Sequence, residues 1–143
     1  MDIPPEVVIK ASIRLGSVYY FPYEKFHSDE SHFFVVVNVN PNAEEIVLVA
    51  ASSKINAVKK RNKKNPPETL IEINPNEYPD FTCSSILDCN YSVIVQKIDV
   101  LVERLSSKKL KLKSEMDVKF VERLRQGILV SKLVSSNIKG QLK

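Results

Sequence analysis

Residues 32–51 read HFFVVVNVNPNAEEIVLVAA, two apolar runs joined by turn-forming residues. The first run, residues 32–39, is nearly continuous and rich in β-branched side chains, which predicts a buried central strand. Residues 40–43 (NPNA) are typical of a turn, and residues 45–51 repeat the apolar run. The two runs are therefore predicted to pair as an antiparallel hairpin at the centre of the fold.

Shorter segments on both sides extend this hairpin into a larger sheet. The strand candidates, chosen for their β-branched and aromatic content between turn residues, are 17–21, 69–73, 84–88 and 91–103. Two polar stretches, residues 23–31 and 55–67, are predicted to be loops, and the second of them is basic.

Helical patterns lie near the two ends of the chain. Residues 1–14 are predicted to form an N-terminal extension or a short helix, because Pro4 and Pro5 suit the first turn of a helix. Ser114 is predicted to cap a C-terminal helix over residues 114–135, in which apolar side chains recur at helical spacing.

The order of these elements predicts a fold that is mainly β with a C-terminal helix. A chain of 143 residues has the size of one domain and is long enough to bury its own core. We therefore expect a single domain over residues 1–143, built as a small barrel or half-barrel of antiparallel strands.

The composition excludes two kinds of site. The three glycines, Gly16, Gly127 and Gly140, lie far apart, whereas a phosphate-cradling loop needs several within a few residues. A zinc site from one chain needs four His or Cys ligands at characteristic spacings, and two histidines with Cys83 and Cys89 do not supply them. We expect neither a metal nor an organic cofactor.

The charge pattern points to a polyanionic partner. Lys and Arg number 21 against 17 Asp and Glu, a net charge of +4. The excess is concentrated in two blocks, one of Lys59, Lys60, Arg61, Lys63 and Lys64 and one of Lys108, Lys109, Lys111 and Lys113. Either block can be ordinary solvated charge; together they favour a phosphate-binding surface for nucleic acid.

The sequence also predicts the compartment. No segment has the organisation of a signal peptide, and the longest apolar run, residues 46–51, is far below the about 20 residues of a membrane helix. Cys83 and Cys89 are read as free thiols in a reducing environment. We expect a cytoplasmic protein with no membrane partner.

The order of segments resembles the MazF/PemK family of type II toxin–antitoxin endoribonucleases. The resemblance spans roughly residues 15–135. It is carried by residues 16–20 (GSVYY), 32–37 (HFFVVV), 49–55 (VAASSKI), 85–90 (SILDCN) and the C-terminal helix. It implies an SH3-like barrel, also the shape of CcdB-like toxins, that cleaves single-stranded RNA without metal. It further implies a homodimer and a cognate antitoxin protein.

The resemblance also points to catalytic residues. Where the family has an arginine before its second strand, this chain has His32, and the nearest arginines in the sequence are Arg14 and Arg61. RNA supplies its own nucleophile, the 2′-hydroxyl, so cleavage needs a base, an acid and donors for the phosphate. His32 is the candidate acid or base, with His27 assisting; the alternative is that His32 only caps a strand.

Further candidates are predicted around these residues. Ser52, or Ser53 if the register differs by one, is predicted to donate a hydrogen bond to a phosphate oxygen, and Lys54 to supply positive charge. Asn90 or Asp88 is predicted to position His32 or an RNA base. The predicted RNA-binding residues are Lys54, Lys59, Lys60, Arg61, Lys63, Lys64, Asn90 and two stacking candidates, Tyr23 and Phe26.

Two other functions compete with this hypothesis. The first is a non-catalytic small barrel that binds nucleic acid or poisons a protein target in the manner of CcdB-like toxins. The second is a purely structural interaction domain, for which we expect no RNA affinity and no loss of binding at higher salt.

Overall fold

The computed structural model describes residues 3–26 and 29–142. Over these residues the elements are α1 (Pro5–Ser12), β1 (Val18–Pro22), β2 (Ser31–Asn40), β3 (Glu45–Ser52), α2 (Ile55–Arg61), β4 (Leu70–Ile73), β5 (Ser85–Asp88), β6 (Val93–Lys97), α3 (Ile98–Ser106), β7 (Lys111–Lys113), α4 (Val118–Val130) and α5 (Ser136–Gln141). Short 3₁₀ turns occupy Glu24–Phe26 and Pro67–Thr69. No helix within these residues combines the length and apolar character needed to cross a membrane.

The predicted hairpin is confirmed as the centre of an antiparallel sheet. The strand order is β4-β5-β3-β2-β1-β7, and β6 pairs with β3 beside β5. Strand β2 pairs with β3 from Asn40 opposite Glu45 to Phe34 opposite Ala50, with a register shift near Val36. The other edge of β3 pairs first with β6 and then, at its last two residues, with β5.

Helices cover both faces of this sheet. On one face, Leu124 of α4 belongs to the same buried cluster as Val35 of the hairpin. On the other face, Ile9 of α1 and Leu101 of α3 share a cluster with Phe34. A strand that is buried on both faces must be apolar at nearly every position, which accounts for the continuous apolar runs of the hairpin.

The mainly β barrel predicted from the sequence is corrected in two respects. Five helices accompany the seven strands in the described residues, so the fold is mixed α/β with a helix near the C-terminus. The end strands β4 and β7 do not pair with each other there, so the sheet is open and not a closed barrel. Because helices already bury both faces, the sheet gains no further burial by curling closed.

Other strand and helix predictions are confirmed with small shifts at their ends. The strands expected at residues 17–21, 69–73 and 84–88 correspond to β1, β4 and β5, and the short N-terminal helix corresponds to α1. The basic stretch 55–67, predicted to be a loop, instead begins with the helix α2. Its Ile55 and Val58 lie three residues apart, and Val58 is buried, which is the pattern of a one-sided helix.

The segment 91–103, predicted to be one strand, contains β6 and the start of α3. Ile98, Leu101 and Leu105 recur at spacings of three and four, which favours a helix over the alternation read from the sequence. Residues 111–113 form a strand that the sequence did not predict, since they were noted only as part of the second basic block. It is an outer strand of the sheet, where lysines are common because they discourage pairing with another chain.

The helix predicted over residues 114–135 begins later and ends earlier, as α4. Asp117 is its N-cap and accepts a backbone N–H of the first turn at 2.9 Å. Ser114 lies outside the helix because its backbone has other partners: its N–H donates to Asp80 at 2.7 Å, and its carbonyl accepts the Tyr78 hydroxyl at 2.7 Å. A separate short helix, α5, follows α4.

Candidate functional site

The ends of β2 and β3 and the C-terminal end of α2 surround a surface cleft of about 440 Å³. Six residues predicted for RNA binding or cleavage line it together: Phe26, His32, Ser52, Ser53, Lys54 and Arg61. Aromatic rings of Tyr20, Phe33 and Phe81 form another part of the lining. We call this feature the His32 cleft.

His32 is held in the cleft by ring packing. Its imidazole lies edge-on to the Phe26 ring at 5.2 Å between centroids and to Phe34 at 6.4 Å. The Nδ1 atom is buried and has no hydrogen-bond partner among the described residues. A histidine that capped a strand through Nδ1 would have such a partner, so the proton of this ring is not committed to an acceptor on that side.

Ser52 lies at the matching end of the neighbouring strand. Phe34 pairs with Ala50, and His32 and Ser52 stand two residues beyond that pair on β2 and β3, so they lie on the same face. The Ser52 hydroxyl oxygen accepts the backbone N–H of Lys54 at 3.1 Å. A serine hydroxyl keeps its own proton for a further acceptor, so Ser52 can still donate into the cleft.

Arg61 enters the cleft from the last turn of α2. Its Nε and Nη2 atoms donate to Asp88 Oδ2 at 3.0 and 2.9 Å, and Nη2 lies 3.4 Å from Ser92 Oγ. The guanidinium carbon stands 5.6 Å from the centre of the Tyr91 ring. The basic block predicted that Arg61 binds RNA, but nothing in the sequence predicted its contact with Asp88. The helical spacing of Ile55 and Val58 was the available signal for the helix that positions Arg61.

Asp88 is the buried partner that holds Arg61. Only 1% of Asp88 is exposed. Besides Arg61, its carboxylate accepts the Asn62 side chain at 2.8 Å and the backbone N–H groups of Asn90 and Tyr91 at 2.8 and 3.1 Å. A carboxylate with this many donors is compensated in its buried position and fixed in orientation.

Asn90 does not present a free edge to the cleft. Its side-chain amide donates to Asn62 at 2.9 Å and to Thr69 at 2.8 Å, and its oxygen accepts the Ser131 hydroxyl at 2.6 Å. The side chain is buried and joins three segments of the chain. The predicted contact of Asn90 with RNA does not fit this placement.

The two stacking candidates, Tyr23 and Phe26, differ in their access to the cleft. Tyr23 is buried, and its ring packs edge-on against Phe26 at 4.9 Å and Phe34 at 6.0 Å. Phe26 reaches the lining of the cleft, so it alone of the two is positioned to meet a base. The predicted assisting residue, His27, lies outside the described residues.

The lysines of the first basic block lie beside the cleft and do not line it. Lys59, Lys60, Lys63 and Lys64 are exposed around the C-terminal end of α2, where Lys59 pairs with Glu72. Positive charge at a helix C-terminus is also favourable for the helix itself. The lysines of this block therefore stabilise the C-terminal end of α2 in addition to providing the positive charge that would suit a polyanionic partner.

The two cysteines have different environments. Cys89 is fully buried, and burial together with the nearby Asp88 carboxylate raises the pKa of its thiol well above the usual range. Cys89 is therefore a core residue. Cys83 is exposed and lies in the lining of the His32 cleft.

In the part of the chain that the structure describes, no three His, Cys, Asp or Glu side chains are grouped so as to hold a metal ion. No family model matches the chain, and no curated protein matches it at a significant level. The His32 cleft is therefore the feature of the described residues that bears on function.

Proposed function

We propose that this protein is a metal-independent endoribonuclease of the MazF/PemK type that cleaves single-stranded RNA. One observation carries the proposal: His32, Ser52 and Lys54 line the same cleft although they come from two strands and a connection. In attack by a 2′-hydroxyl, an imidazole can act as the acid or the base, and a hydroxyl and an ammonium group can donate to the phosphate.

In the proposed reaction, the 2′-oxygen forms a bond to the adjacent phosphorus and the bond from phosphorus to the 5′-oxygen breaks. His32 performs one of the two proton transfers, since imidazole exchanges protons near neutral pH. Solvent water performs the other, so that the 2′-hydroxyl loses its proton and the departing 5′-oxygen gains one. Ser52 donates a hydrogen bond to a non-bridging oxygen, and Lys54 offsets the negative charge that develops there. The products are a 2′,3′-cyclic phosphate and a 5′-hydroxyl.

The surroundings of the cleft support binding of a single strand. Phe26 offers a ring face or edge for a base, and the lysines of residues 59–64 offer charge along the backbone. The homodimer and the antitoxin that blocks the cleft belong to the proposal through the family resemblance alone, whereas the cytoplasmic location belongs to it through the sequence features described above.

A second candidate is a module that binds nucleic acid without cleaving it. The exposed lysines of α2 favour it, because phosphate contacts by lysine need neither an acid nor a base. The two candidates make opposite predictions for His32.

The deciding experiment incubates the pure protein with an end-labelled, mixed-sequence single-stranded RNA in EDTA. We expect cleavage with cyclic-phosphate ends, and we expect His32→Ala to slow it at least about 100-fold, the usual effect of losing a general acid or base. Ser136→Ala, outside the cleft, is the control and should cleave at the wild-type rate.

If the protein retains the labelled RNA on a filter but neither wild type nor variant cleaves it, the result would contradict the enzyme and favour the binding module. Cleavage that requires added metal would contradict the proposed chemistry.

A further inference from the structure

We propose that Arg61 is the residue that contacts the scissile phosphate in the transition state, and that Asp88 is a positioning residue that orients it. The inference rests on the proposed RNA cleavage and gives a role in the reaction to a residue that the sequence predicted only to bind RNA. It is carried by the contacts of Arg61, which lines the His32 cleft, with the buried Asp88.

The geometry leaves one side of the guanidinium free for a ligand. Arginine has five N–H donors in a planar fork. Asp88 takes the Nε donor and one Nη2 donor, and Ser92 stands near the second Nη2 donor. The two donors of Nη1 have no partner among the described residues, and the side chain is 46% exposed. These two N–H groups diverge within the guanidinium plane, and each can donate a charge-assisted hydrogen bond to a phosphate oxygen.

Asp88 is anchored well enough to fix the direction of that fork. Its carboxylate also accepts from Asn62 and from two backbone N–H groups, and Asn62 in turn donates to the Val58 carbonyl at 2.9 Å. The position of Arg61 is thus tied to the end of β5 and to the body of α2. Lys54 has no comparable anchor on its ammonium group among the described contacts, so its charge is less well oriented.

The ion pair also predicts which step Arg61 affects. Because Asp88 balances its charge, Arg61 adds little to the long-range attraction of RNA, which the exposed lysines provide. Its oriented donors matter most when a negative charge develops on the phosphate. Loss of Arg61 should therefore lower the rate of cleavage much more than the affinity for RNA.

The test measures single-turnover cleavage and the affinity for an uncleavable 2′-O-methyl RNA of the same sequence. For Arg61→Ala we expect a loss of at least about 100-fold in rate with affinity within about threefold. Arg61→Lys keeps the charge and should lose nearly as much rate, because the fork is gone. Arg123→Lys, on α4 outside the cleft, is the matched control and should behave as wild type.

Chemical rescue then tests the role of Asp88. Methylguanidinium chloride should restore much of the rate of Arg61→Ala, while methylammonium chloride at the same ionic strength should not. The double variant R61A/D88N should not be rescued, since it lacks the carboxylate that holds the added ion. Thermal unfolding of each variant checks that it is folded. If R61A/D88N is not, R61A/D88E replaces it, because the longer side chain keeps the charge but moves the carboxylate, and it should be rescued less than Arg61→Ala.

Each outcome bears on a different claim. A wild-type protein that cleaves no RNA would end both the proposed function and this inference. Cleavage by wild type, together with Arg61→Ala within about threefold of its rate, would overturn the role of Arg61 alone. Equal rescue of the single and double variants would overturn the role of Asp88 as the positioning group.

Discussion

Gly127 shows how a single residue sets the packing of a helix. It lies in α4, and a β-carbon at this position would stand 2.9 Å from the Glu68 carbonyl oxygen and 2.9 Å from Cys89 Sγ. The first of these atoms is backbone in the 3₁₀ turn before β4, so it cannot move easily. In the sequence this glycine only helped to exclude a phosphate loop; its structural role is the close approach of α4 to that turn.

Replacing Gly127 by alanine tests this close approach. We expect Gly127→Ala to lower the free energy of unfolding by about 1–3 kcal/mol, the usual cost of overpacking, despite the higher helix propensity of alanine. Gly140→Ala in α5 is the control, since its β-carbon meets nothing within 4 Å; it should be neutral or stabilising by up to about 1 kcal/mol. Urea unfolding measures both, and a Gly127→Ala protein as stable as wild type would contradict the packing argument.

The helices illustrate what sequence patterns decide at the scale of an element. The sequence pattern predicted Ser114 as the cap of α4, whereas the cap in the structure is Asp117, three residues later. Contacts of the Ser114 backbone with Tyr78 and Asp80, more than 30 residues away, select Asp117. Both α2 and α3 have apolar residues at helical spacing. The sequence did not predict these helices because α2 lies in a short polar stretch and α3 continues a segment with strand-like alternation.

The predicted cap, Ser114, and the observed cap, Asp117, can be compared directly by mutation. Asp117→Ala removes the acceptor for the N–H of Lys119 and should lower the free energy of unfolding by about 1 kcal/mol. Ser114→Ala should change it by less than about 0.5 kcal/mol, because the backbone hydrogen bonds of Ser114 with Tyr78 and Asp80 remain and only its exposed hydroxyl near Asp80 is lost. The measurement is urea unfolding at neutral pH. If Ser114→Ala lowered the free energy of unfolding more than Asp117→Ala, Ser114 would be the cap, as the sequence predicts.

At the scale of the whole molecule, Asp80 links two distant parts of the chain. It lies between β4 and β5, and it accepts the N–H of Ser114, which connects β7 to α4. That hydrogen bond from the backbone lowers the pKa of the Asp80 carboxyl, and the charge of Lys113 contributes in the same direction. The folded protein therefore holds the ionised form of Asp80 more strongly than the unfolded chain does.

This shift gives a pH dependence with a definite sign. Because the folded pKa lies below the unfolded value of about 3.9, the contribution of Asp80 to stability is present above that pH. It is lost as the pH falls through the folded pKa. We expect the stability gap between wild type and Asp80→Asn to narrow between pH 5 and about pH 2 in urea unfolding.

The control for this experiment is Glu122→Gln, which removes an exposed carboxylate on α4. Its stability should follow the wild-type curve across the same range. A gap between wild type and Asp80→Asn that stays constant as the pH falls would show that the hydrogen bond from Ser114 does not depend on the charge of Asp80.

The family resemblance grouped His32 with Ser52, and the sequence by itself determined the central hairpin and most of the other strands. These follow from apolar runs, turn residues and strand register, which depend on near neighbours in the chain. Only the tertiary structure decided the open sheet, because its closure depends on how helices cover both faces. It alone also brought Arg61 and Asp88, 27 positions apart, into contact beside His32. No local pattern encodes that contact, since it forms only when α2 folds against the end of β5.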